Sequence, residues 1–152
     1  MAQDSGIKPV AQNKKAYHDY FILETLEAGI ELFGTEVKSI RQGKLNLKDA
    51  WCFVKDGEMF VNGMHISPYE QGNIFNRDPM RQKRLLLHKR EIRRLYAAVK
   101  QEGLAIIPLK VYFSKGKAKV EIGLCKGKEL YDKRAVAAQK DAKRAIERGM
   151  RR

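Results

Sequence analysis

The spacing of apolar and polar residues changes several times along the chain, and each stretch predicts its own element. Residues 1–12 (MAQDSGIKPVAQ) are polar, carry Gly6 and Pro9 and show no period, which predicts a disordered leader. From Ala16 to Phe33 (AYHDYFILETLEAGIELF) aromatic and β-branched residues become dense. That predicts one long bent strand, or two strands broken near Ala28-Gly29. Gly34-Thr35 then opens a short helix with Thr35 as N-cap, Glu36 in its first turn, Val37 and Ile40 inward, and Gly43 as its stop. Trp51 and Phe53 alternate with Cys52 and Val54 up to an Asp56-Gly57 turn, and Phe60, Met64 and Ile66 continue the return strand. Residues 67–84 read as a long loop with a basic exit through Arg77, Arg81, Lys83 and Arg84.

The second half is more regular. Ile92, Leu95, Tyr96 and Val99 form one stripe of an amphipathic helix from Leu86 to Glu102, with Gly103 past its end. Leu109, Val111 and Phe113 alternate into a turn at 114–117, and Ala118, Val120, Ile122 and Leu124 alternate out; Pro108 predicts an edge or a bulge. Five to seven antiparallel strands at hairpin spacing, with two helices, predict a mainly β fold with flanking helices, an OB-like antiparallel β-barrel, which composition alone does not separate from an open α+β sheet. The expected divisions are a leader at 1–12, the barrel at 13–130 and a basic C-terminal tail at 131–152.

Charge changes the picture. The 152 residues hold 31 Lys and Arg against 18 Asp and Glu, a net charge of +13. An excess of that size points to nucleic acid or another polyanion. It is concentrated at the end: Lys126 to Arg152 carries ten basic residues against four acids, with alanine as its main apolar residue. Such a segment has little to bury, so it is expected to become helical on a polyanion. No apolar run reaches 18 residues and no export signal opens the chain, so a cytoplasmic protein without a membrane span is expected. Cys52 and Cys125 lack metal-site spacing and read as buried, reduced thiols.

Candidate catalytic chemistry is sparse. His18, His65 and His88 are dispersed, no phosphate-binding Gly-rich loop is followed by Lys-Ser/Thr, and no nucleophile stands beside a base in a known frame. Neither enzyme activity nor a metal or cofactor is expected. Nucleic-acid chemistry is better represented. Lys14, Lys15, Tyr17, His18 and Tyr20 interleave cations with rings, and Lys110, Tyr112, Lys117, Lys119 and Glu121 form a mostly basic outward face on the last hairpin.

Three blocks in order resemble one family, the tmRNA-binding proteins called SmpB (small protein B). They are Asn13-Lys14-Lys15-Ala16-Tyr17-His18-Asp19-Tyr20-Phe21, then Gly29-Ile30-Glu31-Leu32-Phe33-Gly34-Thr35-Glu36-Val37-Lys38-Ser39-Ile40-Arg41, then Gly127-Lys128-Glu129-Leu130-Tyr131-Asp132-Lys133-Arg134. The resemblance implies an OB-like barrel that binds the tRNA-like domain of tmRNA and reaches stalled ribosomes with elongation factor Tu through alanyl-tmRNA. It implies tmRNA contacts from Asn13, His18, Tyr20, Glu27 and Leu86; the basic residues Lys119 and Lys128 complete the expected set. The tail would lie in the empty mRNA channel against small-subunit rRNA. Tyr131 would stack at the decoding centre, Asp132, Lys133 and Arg134 form the tail motif, Lys140, Lys143, Arg144 and Arg148 track phosphates, and Ile146 or Met150 anchors it. A monomer is expected. The competing reading is a general OB-fold binder of single-stranded nucleic acid.

Overall fold

The computed structural model describes residues 7–71 and 76–128. The tail positions Tyr131, Asp132, Lys133, Arg134, Lys140, Lys143, Arg144, Ile146 and Arg148 lie outside the described residues. The elements run β1 (Ile7–Gln12), α1 (Lys14–Asp19), β2 (Tyr20–Ile30), α2 (Gly34–Arg41), β3 (Leu45–Asn46), β4 (Trp51–Lys55), β5 (Glu58–Asn62), β6 (His65–Ile66), β7 (Lys83–Leu86), α3 (Lys89–Glu102), β8 (Ala105–Ser114) and β9 (Lys117–Gly127). Every pairing is antiparallel, in the order β1-β8-β4-β5-β7-β2-β9, and β9 also pairs with β8. Pairing therefore runs around six strands and returns to β8, the OB-like arrangement expected. The weakest join is β4 to β8, paired at Cys52 and Ile106.

Alternation along the strands turns one set of side chains inward. Met59, Val61, Leu85, Val111, Val120 and Ile122 are fully buried, joined by Ile40 of α2 and by Ile92 and Leu95 of α3. A second, smaller cluster lies outside this core, where Ala16 of α1 covers Ile107, Leu109 and Cys125. At Gly123 a Cβ would come within 2.6 Å of the buried Leu109 side chain, so only glycine lets β9 pass there. The register shift between Pro108 and Lys110 is the bulge that Pro108 predicts.

Several expectations change for tertiary reasons. Ile7–Gln12 fall in the expected disordered leader but form β1, because the Lys110–Ser114 side of β8 offers an unpaired ladder and Val10 and Ala11 can pack on the core. Lys14–Asp19 form a helix instead of a strand: Asn13 caps it, its Oδ1 accepting the Ala16 N–H at 3.0 Å. β2 is then a single strand, with a bulge between Ile22 and Glu24. The cap of α2 is Phe33, not Thr35, and the Glu36 carboxylate reaches back to the Phe33 N–H at 2.8 Å. Gly63, at φ 82°, ends β5, so His65–Ile66 pairs with β3 instead of continuing the hairpin. Leu86 closes β7, and α3 begins only at Lys89.

The expected basic exit of the long loop is largely committed to the fold. Arg81 pairs with the buried Glu36 at 2.6 Å, and Arg84 pairs with Glu31 and Glu58. Lys83 is fully buried, its Nζ donating to the carbonyls of Met64 at 2.7 Å and Pro79 at 3.4 Å. Burial lowers its pKa from 10.5 to about 8. Between those values the unfolded chain holds a proton that the folded chain has released, so this group makes stability rise with pH. Below about pH 8 both states are protonated and the burial cost is complete. Urea melts should therefore show Lys83→Met gaining on the native chain at pH 7 and losing that advantage by pH 10; a pH-independent difference would refute the assignment.

Candidate RNA-binding face

Antiparallel partners that sit opposite one another point to the same side of a sheet, so register alone places the outward residues. Leu86 on β7 is opposite Gly29 on β2, Gly29 is opposite Lys119 on β9, Lys119 is opposite Tyr112 on β8, and Tyr112 is opposite Pro9 on β1. This row crosses five strands. Gly29 keeps it low, since a Cβ there would lie 3.2 Å from the Leu86 Cβ. Leu86 is 46% exposed, so it is no core leucine, and its side chain is presented beside Lys119. Lys119 has no ion-pair partner among the described residues.

The neighbouring row is charged. Glu27 on β2 faces Glu121 on β9, which faces Lys110 on β8 with 3.9 Å between their charged atoms. Tyr112 reaches across β9 and its hydroxyl donates to the Glu27 carboxylate at 2.5 Å. Burial, then the Glu27 hydrogen bond and charge, push the Tyr112 hydroxyl well above its ordinary pKa of 10, so it stays a donor. Glu27 is thus held in one orientation on an exposed face. A carboxylate there can accept from base amino groups or a 2′-OH.

The other expected contacts gather at the far end of β2, about 20 Å away by strand rise from Glu27 to Phe21. His18 is exposed at the end of α1, and its ring bonds Asp19 at 2.9 Å. Lys128 donates to the Tyr17 carbonyl at 3.3 Å and lies 5.3 Å from the centre of the Phe21 ring. Tyr20 packs against the smaller core, while Phe21 is 38% exposed. Phe21 is a surface residue that the sequence does not single out as a contact, and Tyr112 is legible there only as part of the outward face of the last hairpin. Asn13 differs from the rest. It is buried, and besides capping α1 its Nδ2 donates to the carbonyls of Leu47 and Pro108 at 3.2 and 3.0 Å. Its amide fixes α1 against β8, so any part it plays in binding is through placement.

Both cysteines are buried and free; burial pushes the Cys125 thiol up to about 11 and raises Cys52 further. Neither is a nucleophile at neutral pH. Among the described residues no group of three or more His, Cys, Asp or Glu side chains is arranged to hold a metal, and no helix is long and apolar enough to cross a membrane.

A basic antiparallel β-fold of OB-like pairing, with one mixed apolar and charged outer face and a cationic tail in its sequence, defines an RNA-binding protein class. Within that class the chain belongs to the SmpB protein family, whose pattern matches residues 10–152. It is 60% identical over 142 residues to the SsrA-binding protein of Acetivibrio thermocellus, covering 93% of this chain and 92% of that protein. The SsrA-binding protein of Clostridium perfringens is 54% identical over 151 residues, covering 99% and 97%. A chain in a solved structure described as tmRNA-SmpB at the center of the bacterial ribosome superposes with a TM-score of 0.67 at 52% identity, covering 79% of this chain and 85% of that one.

Proposed function

We propose that this chain is the tmRNA-binding adaptor of trans-translation in its cell. It binds the tRNA-like domain of tmRNA, accompanies alanyl-tmRNA and elongation factor Tu to a stalled ribosome, and acts there without catalysing a reaction, in the cytoplasm. The observation that carries this reading is the outer face of β7, β2, β9 and β8. It presents Leu86, Lys119 and a Tyr112-oriented Glu27 together on rigid strands. Leu86 offers apolar surface to a base or ribose, Lys119 meets a phosphate, and Glu27 reads a donor. His18 and Lys128 extend contact along β2, and Tyr20 shapes the surface beneath them. Residues 13–130 would form this RNA-binding body and 131–152 a separate tail for the decoding centre and mRNA channel.

The family and the names of its relatives agree with this reading. A general single-strand binder would display successive stacking rings along its face, whereas among the described residues the row across β7, β2, β9 and β8 supplies one ring, Tyr112, with the next, Phe21, about 20 Å away along β2. The experiment is binding to the isolated tRNA-like domain over a salt series. With roughly five phosphates neutralised, log K should fall against log salt with a slope of about −4 to −5. A flat response would overturn the electrostatic part of the proposal.

A further inference from the structure

On the side of the molecule formed by β4 and α3 there is a second groove, of about 410 Å³. That size lies within the range of small-ligand sites, roughly 300–1,000 Å³. Trp51 forms one wall and is 45% exposed although it is the chain's single tryptophan. Behind it, Phe53 stands 5.1 Å away centre to centre, and Phe53 is in turn stacked on Phe60 at 5.7 Å. Tyr96 of α3 forms the opposite wall, 44% exposed, with the Lys100 ammonium 5.5 Å from its ring. Arg93 precedes Tyr96 by three residues and Lys100 follows it by four, so both cations share the exposed face of the helix with this ring. Among the described residues, no acidic side chain lines the groove.

Two exposed rings, Trp51 braced by further rings and Tyr96 beside a cation, with no acid among the described lining residues, suit a flat, electron-rich ring attached to an anion. We propose that this groove binds one unpaired nucleotide of an RNA strand, its base stacked on Trp51 and its phosphate met by Lys100 and Arg93. It is a second RNA contact, separate from the Leu86–Lys119 face; it rests on the RNA-binding reading only for the choice of nucleotide as occupant. A basic occupant such as the chain's own tail is disfavoured, because Arg93 and Lys100 would repel it.

Trp51 reports on its own site. Titrating the full chain with a short oligoadenylate should quench its fluorescence saturably. The same backbone carrying abasic nucleotides should not, and Lys100→Glu should weaken the effect. Tyr96→Ala should lower affinity by roughly five- to a hundredfold, the loss of one base-stacking partner. A Trp51→Ala variant that keeps the native melting curve should lose oligoadenylate binding by filter assay while retaining its affinity for the isolated tRNA-like domain. Equal quenching by the abasic strand would overturn the proposal. So would a spectral shift that depends on protein concentration without RNA, the signature of a second copy, or quenching that disappears when residues 129–152 are removed. Retained oligoadenylate binding by the Trp51→Ala variant would also overturn the proposal, whereas oligoadenylate binding by the native chain with failed tRNA-like-domain binding would count against the primary function and leave this site standing.

Discussion

Ending the chain after Tyr131 should abolish tagging on stalled ribosomes while leaving affinity for the tRNA-like domain nearly intact. The removed segment, Asp132 to Arg152, carries eight basic residues against three acids and has Ile146 and Met150 as its larger apolar side chains. Its sequence offers little apolar surface for packing, and a surrounding polyanion is proposed to order it. None of the proposed tRNA-like-domain contacts, from β2, β7, β8 and β9 with His18 of α1 and Lys128 just past β9, lies within the removed segment, so none is lost with it. Filter binding and an in vitro tagging assay on the same preparation measure the two activities separately. Parallel loss of both would show that the tail is an affinity arm for tmRNA and that the division of labour is wrong.

The second large effect falls on the face itself. Leu86→Glu with Lys119→Glu should reduce affinity for the tRNA-like domain by about a hundredfold, near 1.4 kcal/mol from each position. The first change places a carboxylate at the proposed apolar contact, and the second reverses the row's cation. Both positions are on the outer surface, so thermal stability should stay close to native. The salt dependence should also flatten, its slope becoming less negative by about one for the lost lysine contact. An unchanged affinity in a folded double variant would remove this face from the binding surface. Lys117→Glu at the hairpin tip controls for the charge reversal at Lys119, and should cost much less.

The strands and helices with a strong internal period were legible in the sequence. The β8–β9 hairpin, the Asp56-Gly57 turn and the stripe of α3 depend on local alternation and on turn chemistry, and they occur where the pattern places them. What was not legible depends on partners distant in sequence. β1 exists because β8 has a free side, and nothing within Ile7–Gln12 reveals that side. α1 was hidden by rings: the density of Tyr17, Tyr20 and Phe21 reads as strand, yet the Asn13 cap and the burial of Ala16 set a helical turn before β2 begins. The basic loop misled for a related reason. Lys83 and Arg81 count as positive charge in the sequence, but one is buried on carbonyls and the other is paired with Glu36.

The face was half legible. Glu27, Leu86 and Lys119 come from three separate stretches, and only the register of β7, β2 and β9 brings them side by side. Family resemblance supplied Glu27 and Leu86 as names; strand pairing supplies a physical reason for them. It also separates Asn13, whose amide is committed inside the protein, from the outward residues of that face. Tyr112 shows the limit of reading charge alone: its place in a basic hairpin face gave no hint that its hydroxyl would orient a carboxylate two strands away.

The central claim is that this face recognises a folded tRNA-like elbow in preference to a flexible strand. The direct measurement is a competition in which labelled tRNA-like domain bound to the full chain is displaced by unlabelled elbow fragment or by oligo-dT of matched phosphate count. The elbow fragment should compete at least about a hundredfold better at physiological salt, since matched phosphates cancel the shared electrostatic contribution. Equal competition by the two would contradict the account and make the chain a general single-strand binder.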